Sequence, residues 1–264
     1  MTRILVLGAH PDDAEFFAGG LIARHFHAGS TIKLISVTNG QSGHQSIPSH
    51  ELIPRRRAEA VLAGKQVGAE YLTWDFPDGS LVPSLELRHA IIREIRTFQP
   101  DLVLTHRPFD YHPDHRAVGQ VVQDASYMVL VPKIVPEVAP PTTEPVVAYM
   151  VDLFTRPCPF RADVLIDVSQ YFETILSMLD SHQSQFYEWL PWIERIVDSV
   201  PKDPSERRDW LGRWFVDRAK DRLTRFWKTE HGPAPKLIEA YEISEYAGKA
   251  CGKTLEKLFP GKRY

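Results

Sequence analysis

Arg3-Ile-Leu-Val-Leu-Gly-Ala-His-Pro-Asp-Asp-Ala-Glu15 decides the reading of this chain. A run as short and aliphatic as Ile4 to Leu7, closed by Gly8, suits a strand buried on both faces, and Glu15 to Ala28 continues with helical potential. Thr31 to Thr38 is a second aliphatic strand stopped at Asn39-Gly40, which completes a βαβ layout. Outward from there the alternation repeats. Pro54 opens a helix through Val67 that Gly68 ends, and Tyr71 to Phe76 is a strand closed by Pro77-Asp-Gly79. Ser84 caps a helix through Phe98, Asp101 to Thr105 is strand-like, and His115 to Val129 reads as helix. The pattern predicts an α/β fold, a mostly parallel sheet with helices on both faces.

Prolines 132, 136, 140, 141 and 145 make Val131 to Pro145 a stiff, non-helical surface loop. Val146 to Phe154 and Ala162 to Val168 return as strands. Beyond Ser169 the pattern predicts a helical C-terminal extension, with helices over Tyr171 to Tyr187, Pro204 to Thr229 and Lys236 to Tyr246. Tryptophans 189, 192, 210, 214 and 227 crowd this region, and Asp203 to Lys228 reads as a solvated face with one buried stripe.

Composition narrows the class. The 264 residues are 43% hydrophobic and 25% charged, which disfavours disordered and collagen-like chains. A net charge of -3 gives no field to gather nucleic acid or an anionic membrane. Cys158 and Cys251 are too few for a disulfide framework and read as reduced packing residues. Ile4 to Ala9 is too short for a signal-peptide core, and no window approaches the ~20 apolar residues of a membrane helix. A cytoplasmic protein is expected.

The chemistry sits in two clusters, Gly8-Ala-His-Pro-Asp-Asp-Ala-Glu15 and Asp110-Tyr-His-Pro-Asp-His115, each following a strand and entering a helix. Both are therefore expected at the C-terminal edge of the sheet, where α/β folds place their sites. The first turn lacks the G-x-G-x-x-G of a dinucleotide site, and two adjacent carboxylates would repel a phosphate while attracting a divalent cation. Imidazole and carboxylate suit zinc, with iron(II) also compatible. His10, Asp13 and His115 would supply three ligands. Asp12 would remain beside the bound water as general base, His112 would face the same volume as an electrophile, and Asp114 would fix its orientation.

These residues resemble the signature of the LmbE-like and PIG-L zinc-dependent N-deacetylases, in the pair His10-Pro-Asp-Asp13 and His112-Pro-Asp-His115. The similarity extends through Ala18-Gly-Gly20, Arg56-x-x-Glu59, Gly68, Pro77-Asp-Gly79 and Ser181-His-Gln-Ser-Gln185. Ala14 followed by Glu15 is the form of the subgroup that includes bacillithiol-pathway enzymes. The resemblance implies a Rossmann-like catalytic domain over residues 1–185; the helical pattern beyond it makes 186–264 an extension expected to pack on that domain or on a neighbouring subunit. It also implies zinc on His10, Asp13 and His115, Asp12 as base, and His112 with Asp114 stabilising the oxyanion. The substrate it implies is an N-acetylated amino sugar, whose hydroxyls Arg56 and Asp110 would meet, and the assembly a homo-oligomer. A zinc amidohydrolase acting on a non-sugar amide, or a non-catalytic carbohydrate-binding protein, are the alternative readings. His115→Ala is expected to lower bound metal, as measured by elemental analysis of the metal-replete protein; full occupancy would remove His115 from the ligand set.

Overall fold

The computed structural model describes residues 1–263. Strands β1 (Arg3–Gly8), β2 (Thr31–Thr38), β3 (Glu70–Phe76), β4 (Leu102–Thr105) and β5 (Val146–Met150) run parallel, and helices α1 (Asp13–His27), α2 (Ser49–Lys65), α3 (Leu85–Phe98) and α4 (Pro113–Met128) connect each to the next. The chain continues through β6 (Val164–Asp167), α5 (Phe172–Asp180), α6 (Leu190–Ile193), α7 (Pro204–Phe226), β7 (Ile238–Ile243), α8 (Gly252–Leu258) and the two-residue β8 (Lys262–Arg263). The order across the sheet is β3-β2-β1-β4-β5-β7-β6-β8. Connections after β1 lead one way and those after β4 the other, so the switch point lies between these two strands.

Alternation along the strands divides the core. Ile4, Val6 and Leu104 face α1 and the C-terminal helices, packing with Leu21, Ile22, Leu179 and Phe215. Leu5, Leu7 and Val103 face α3 and α4 through Ile91, Ile92, Val118 and Val122. The predicted α/β sheet with helices on both faces is present.

Two predicted elements and the reading of the cysteines differ. Helix α2 begins at Ser49 with Pro54 inside it; the carbonyl that this ring crowds belongs to exposed His50, in a first turn that tolerates the loss. The predicted helix over Lys236 to Tyr246 is instead strand β7, antiparallel to both neighbours. Lying inside the sheet it is buried on both faces and shows no alternation, and its buried Glu239 reads as a helix former. Glu239 in fact accepts hydrogen bonds from the Gly20 and Leu21 amides in the middle of α1, at 2.6 and 2.8 Å. Arg222 of α7 donates to the Phe16 carbonyl, the group that the Gly20 amide would otherwise use. Gly20 also leaves room for the sheet, because a Cβ there would stand 2.4 Å from the Cβ of Val168. Cys158 and Cys251, read as packing residues, are exposed free thiols, placed in a turn beyond β5 and at the start of α8 rather than between layers.

Arg96 gathers much of the proline-rich loop. Arg96, 1% exposed, donates to the carbonyls of Met128, Val129, Val131, Ile134, Val135 and Val138 at 2.6–3.3 Å. Val135 has φ of 49°, costly for a β-branched residue, and the guanidinium compensates by gathering the carbonyls around it. Arg96→Ala leaves those buried acceptors without donors and is expected to cost about 3 kcal/mol or more of stability, read from the urea midpoint.

Candidate metal centre

The loops after β1 and β4 meet at the switch point. Gly8 ends β1 where a Cβ would lie 2.9 Å from that of Asp13, so glycine lets the loop fold back onto the start of α1. The His10 amide donates to Asp13 Oδ2 at 2.7 Å. From the second loop, His112 caps α4, its Nδ1 accepting from the Asp114 amide at 3.2 Å, and His115 follows in the first turn.

The predicted ligands converge. His10 Nδ1 lies 3.2 Å from His115 Nε2 and 3.5 Å from Asp13 Oδ2, and His115 Nε2 lies 3.3 Å from Asp13 Oδ1. A tetrahedral zinc with bonds of about 2.0–2.1 Å keeps its ligands about 3.3–3.4 Å apart, so the spacing fits. The far nitrogens lie against carboxylates, the partners that commonly hold the outer nitrogen of a metal-bound histidine. His10 Nε2 faces Asp114 Oδ2 at 3.2 Å and Asp78 Oδ1 at 3.3 Å, while His115 Nδ1 faces Asp110 Oδ1 at 3.0 Å. Protons on those nitrogens leave two lone pairs pointing at one volume.

Electrostatics agree. Burial opposes charge on His115, but Asp13 and Asp110 outweigh it and raise the imidazole to about 9. Burial likewise opposes charge on His10, and hydrogen bonds to Asp114, Asp13 and Asp78 hold it well above its ordinary value. A centre that draws protons onto two buried imidazoles is built for positive charge, which a divalent cation supplies while releasing those protons.

Asp12 stands beside this cluster in a strained backbone, φ 145° and ψ -18°. Arg56 holds it there, donating to the Pro11 carbonyl at 2.9 Å and lying 3.4 Å from Asp12 Oδ2. Burial pushes the Asp12 carboxyl up to about 6, with Arg56 opposing, which poises it for proton transfer near neutral pH. Burial, reinforced by His10 and His115, lowers His112 and keeps it neutral. With Nδ1 accepting, its proton sits on Nε2.

Several expected roles shift. The Asp114 carboxylate does not orient His112; it accepts from the Gly79 and Leu81 amides at 2.7 and 3.1 Å and faces His10. Asp110 is turned onto His115 and the His112 amide rather than toward a substrate hydroxyl. Arg56 is 2% exposed, packed against Gly40 and Gly43, and braces the Asp12 loop. His182 pairs with Glu15 at 3.1 Å, both fully buried, while Ser184 donates to Glu59 and Gln185 to Gly43, so this segment ties α1 and α2 to the C-terminal half. Two residues went unassigned in the sequence. Asp78 enters the sequence reading only as the middle of Pro77-Asp-Gly79, and His106 does not enter it. His106 Nε2 lies 3.0 Å from Asp13 Oδ2, and its ring stacks on His115 at 3.8 Å. The signal for both was position, each lying just beyond a parallel strand.

Fold and site together define a Rossmann-like protein with a His/Asp cluster that could hold a metal at the carboxyl edge of its sheet. Residues 5–126 match the family described as PIG-L: GlcNAc-PI de-N-acetylase. It is 26% identical over 213 residues to diacetylchitobiose deacetylase of Thermococcus kodakarensis, covering 75% of this chain and 77% of that one. It is also 23% identical over 193 residues to 4-oxalmesaconate hydratase of Pseudomonas putida, covering 70% and 74%. The solved N,N'-diacetylchitobiose deacetylase of Pyrococcus horikoshii shares the fold at a TM-score of 0.73 and 21% identity, covering 93% of this chain and 84% of that one.

Asp114→Asn removes the charge behind His10 while keeping its shape. Divalent metal is expected to bind 10–100-fold more weakly, measured by competition with a chelator.

Proposed function

We propose that the protein is a zinc-dependent hydrolase that removes the acetyl group from an N-acetylated amino sugar or its conjugate. The observation that carries this reading is the convergence of His10, Asp13 and His115 on one point, with Asp12 held beside it and outside the ligand set. A zinc ion held by those three residues would acidify water and polarise the amide carbonyl; iron(II) suits the same donors. Asp12 accepts the proton of the attacking water and returns it to the departing amine. His112 offers its Nε2 proton to the oxyanion that forms. Asp114 and Asp78 hold His10, Asp110 holds His115, and Arg56 keeps Asp12 forward. Ser42, Tyr111 and Gln185 line the same cavity and offer partners to sugar hydroxyls.

The hydratase relative makes water addition to an acidic substrate the competing chemistry. Against it, acidic residues outnumber arginines in the cavity lining, and two of those arginines, Arg56 and Arg218, lie against carboxylates. A neutral amide suits this lining better than a polycarboxylate. The two exposed free thiols support a reducing, cytoplasmic setting. Exposed Trp192, Ile193 and Val197 near α6 support self-association, in keeping with a homo-oligomer. Among the described residues no helix is long and apolar enough to cross a membrane.

Acetate release from a panel of N-acetyl sugars tests the reaction, and no release by metal-replete protein would overturn it. Asp12→Ala is expected to retain metal and lose on the order of 10²–10⁴ in kcat.

A further inference from the structure

The cavity that holds the metal cluster is about 640 Å³, the size of a pocket for a drug-sized molecule, and its two halves differ in chemistry. One half is the His/Asp floor described above. The other is walled by Phe16, Phe154, Phe186, Trp189, Leu190 and Trp214. Except for Phe16, these come from the turn after β5, the π-helical turn Ser184–Trp189, α6 and α7, all outside the segment that matches the family. Phe154 is 44% exposed, a large apolar side chain left open beside a polar centre.

Trp214, Glu194, Arg218 and Arg222 on this wall are engaged with neighbouring groups. Trp214 Nε1 donates to Glu194 at 3.0 Å, Glu194 pairs with Arg218, and Arg218 lies over the Trp214 ring at 4.3 Å. Arg222 lies over Phe16 at 5.2 Å and donates to its carbonyl. A second sugar ring seated here would lose water from its hydroxyls and find few partners, whereas an apolar group would lose nothing by leaving water.

Resting on the deacetylase reading, we infer that this wall is an aglycone subsite, and that the substrate is an N-acetyl amino sugar carrying an uncharged aromatic or aliphatic substituent. The acetamide lies over the metal centre and the substituent against Trp189 and Phe154.

The test compares kcat/KM for N-acetylglucosamine, its phenyl glycosides in both anomers, and diacetylchitobiose, using metal-replete protein. One phenyl glycoside is expected to exceed both other substrates by at least about tenfold, and Trp189→Ala or Phe154→Ala to cut that ratio to about threefold or less. Equal values, a preference for the disaccharide, or a ratio unmoved by both variants would overturn the subsite while leaving the deacetylase reading intact. Phenyl glucoside, which has no acetamide, supplies a readout independent of turnover. It is expected to quench tryptophan fluorescence saturably, with Phe154→Ala weakening binding. Absence of binding would overturn the subsite. Binding without acetate release from any of the sugars would overturn the deacetylase reading and leave an apolar ligand site.

Discussion

Carboxylates crowded around two imidazoles form the constraint on which this molecule depends. Asp12, Asp13, Asp78, Asp110 and Asp114 all approach His10, His115 or Arg56 within a largely buried volume. Buried charge of one sign is tolerated only when compensated. Much of the local architecture serves that need: amides of His10, Gly79 and Leu81 aim at carboxylates, and Arg56 is buried to reach a carbonyl and an acid at once. The strain at Asp12 is stored in the same place, where the surrounding contacts can sustain it.

The legible part of this arrangement was the part written in short, local patterns. Strands β1, β2 and β4 announced themselves because they are buried on both faces, and the two His/Asp clusters because each sits between a strand and a helix start. From that, the meeting of His10, Asp13 and His115 followed from topology alone. What stayed hidden was partnership at long range. Nothing near Asp114 says that its carboxylate turns away from His112 to the Gly79 turn and His10, and nothing near Arg56 says that its guanidinium is enclosed. β7 was missed for a related reason: Glu239 has the profile of a surface helix residue, and the amides of α1 together with the Tyr241 hydroxyl explain its burial.

The two halves of the cavity also have different origins in the chain. The polar floor comes from the loops of the parallel sheet, set by backbone connections that many sequences can satisfy. The aromatic wall comes from segments whose placement depends on tertiary contacts such as the Glu15–His182 pair, Ser184 on Glu59, and Arg55 on Glu188. On the proposed reading chemistry and selectivity are thereby separable: the floor would decide which bond is broken, and the wall which molecules bring that bond to it.

The placement of β7 sets an order of events during biosynthesis. β5 and β6 precede it in the chain, yet both need β7 between them to satisfy their edges. A nascent polypeptide can assemble the parallel half, metal loops included, while the edge of β5 stands open, and the seam closes only after the ribosome has delivered residues 238–243. Truncated translation products would therefore carry the His/Asp cluster on an unsealed sheet, prone to pairing with strangers.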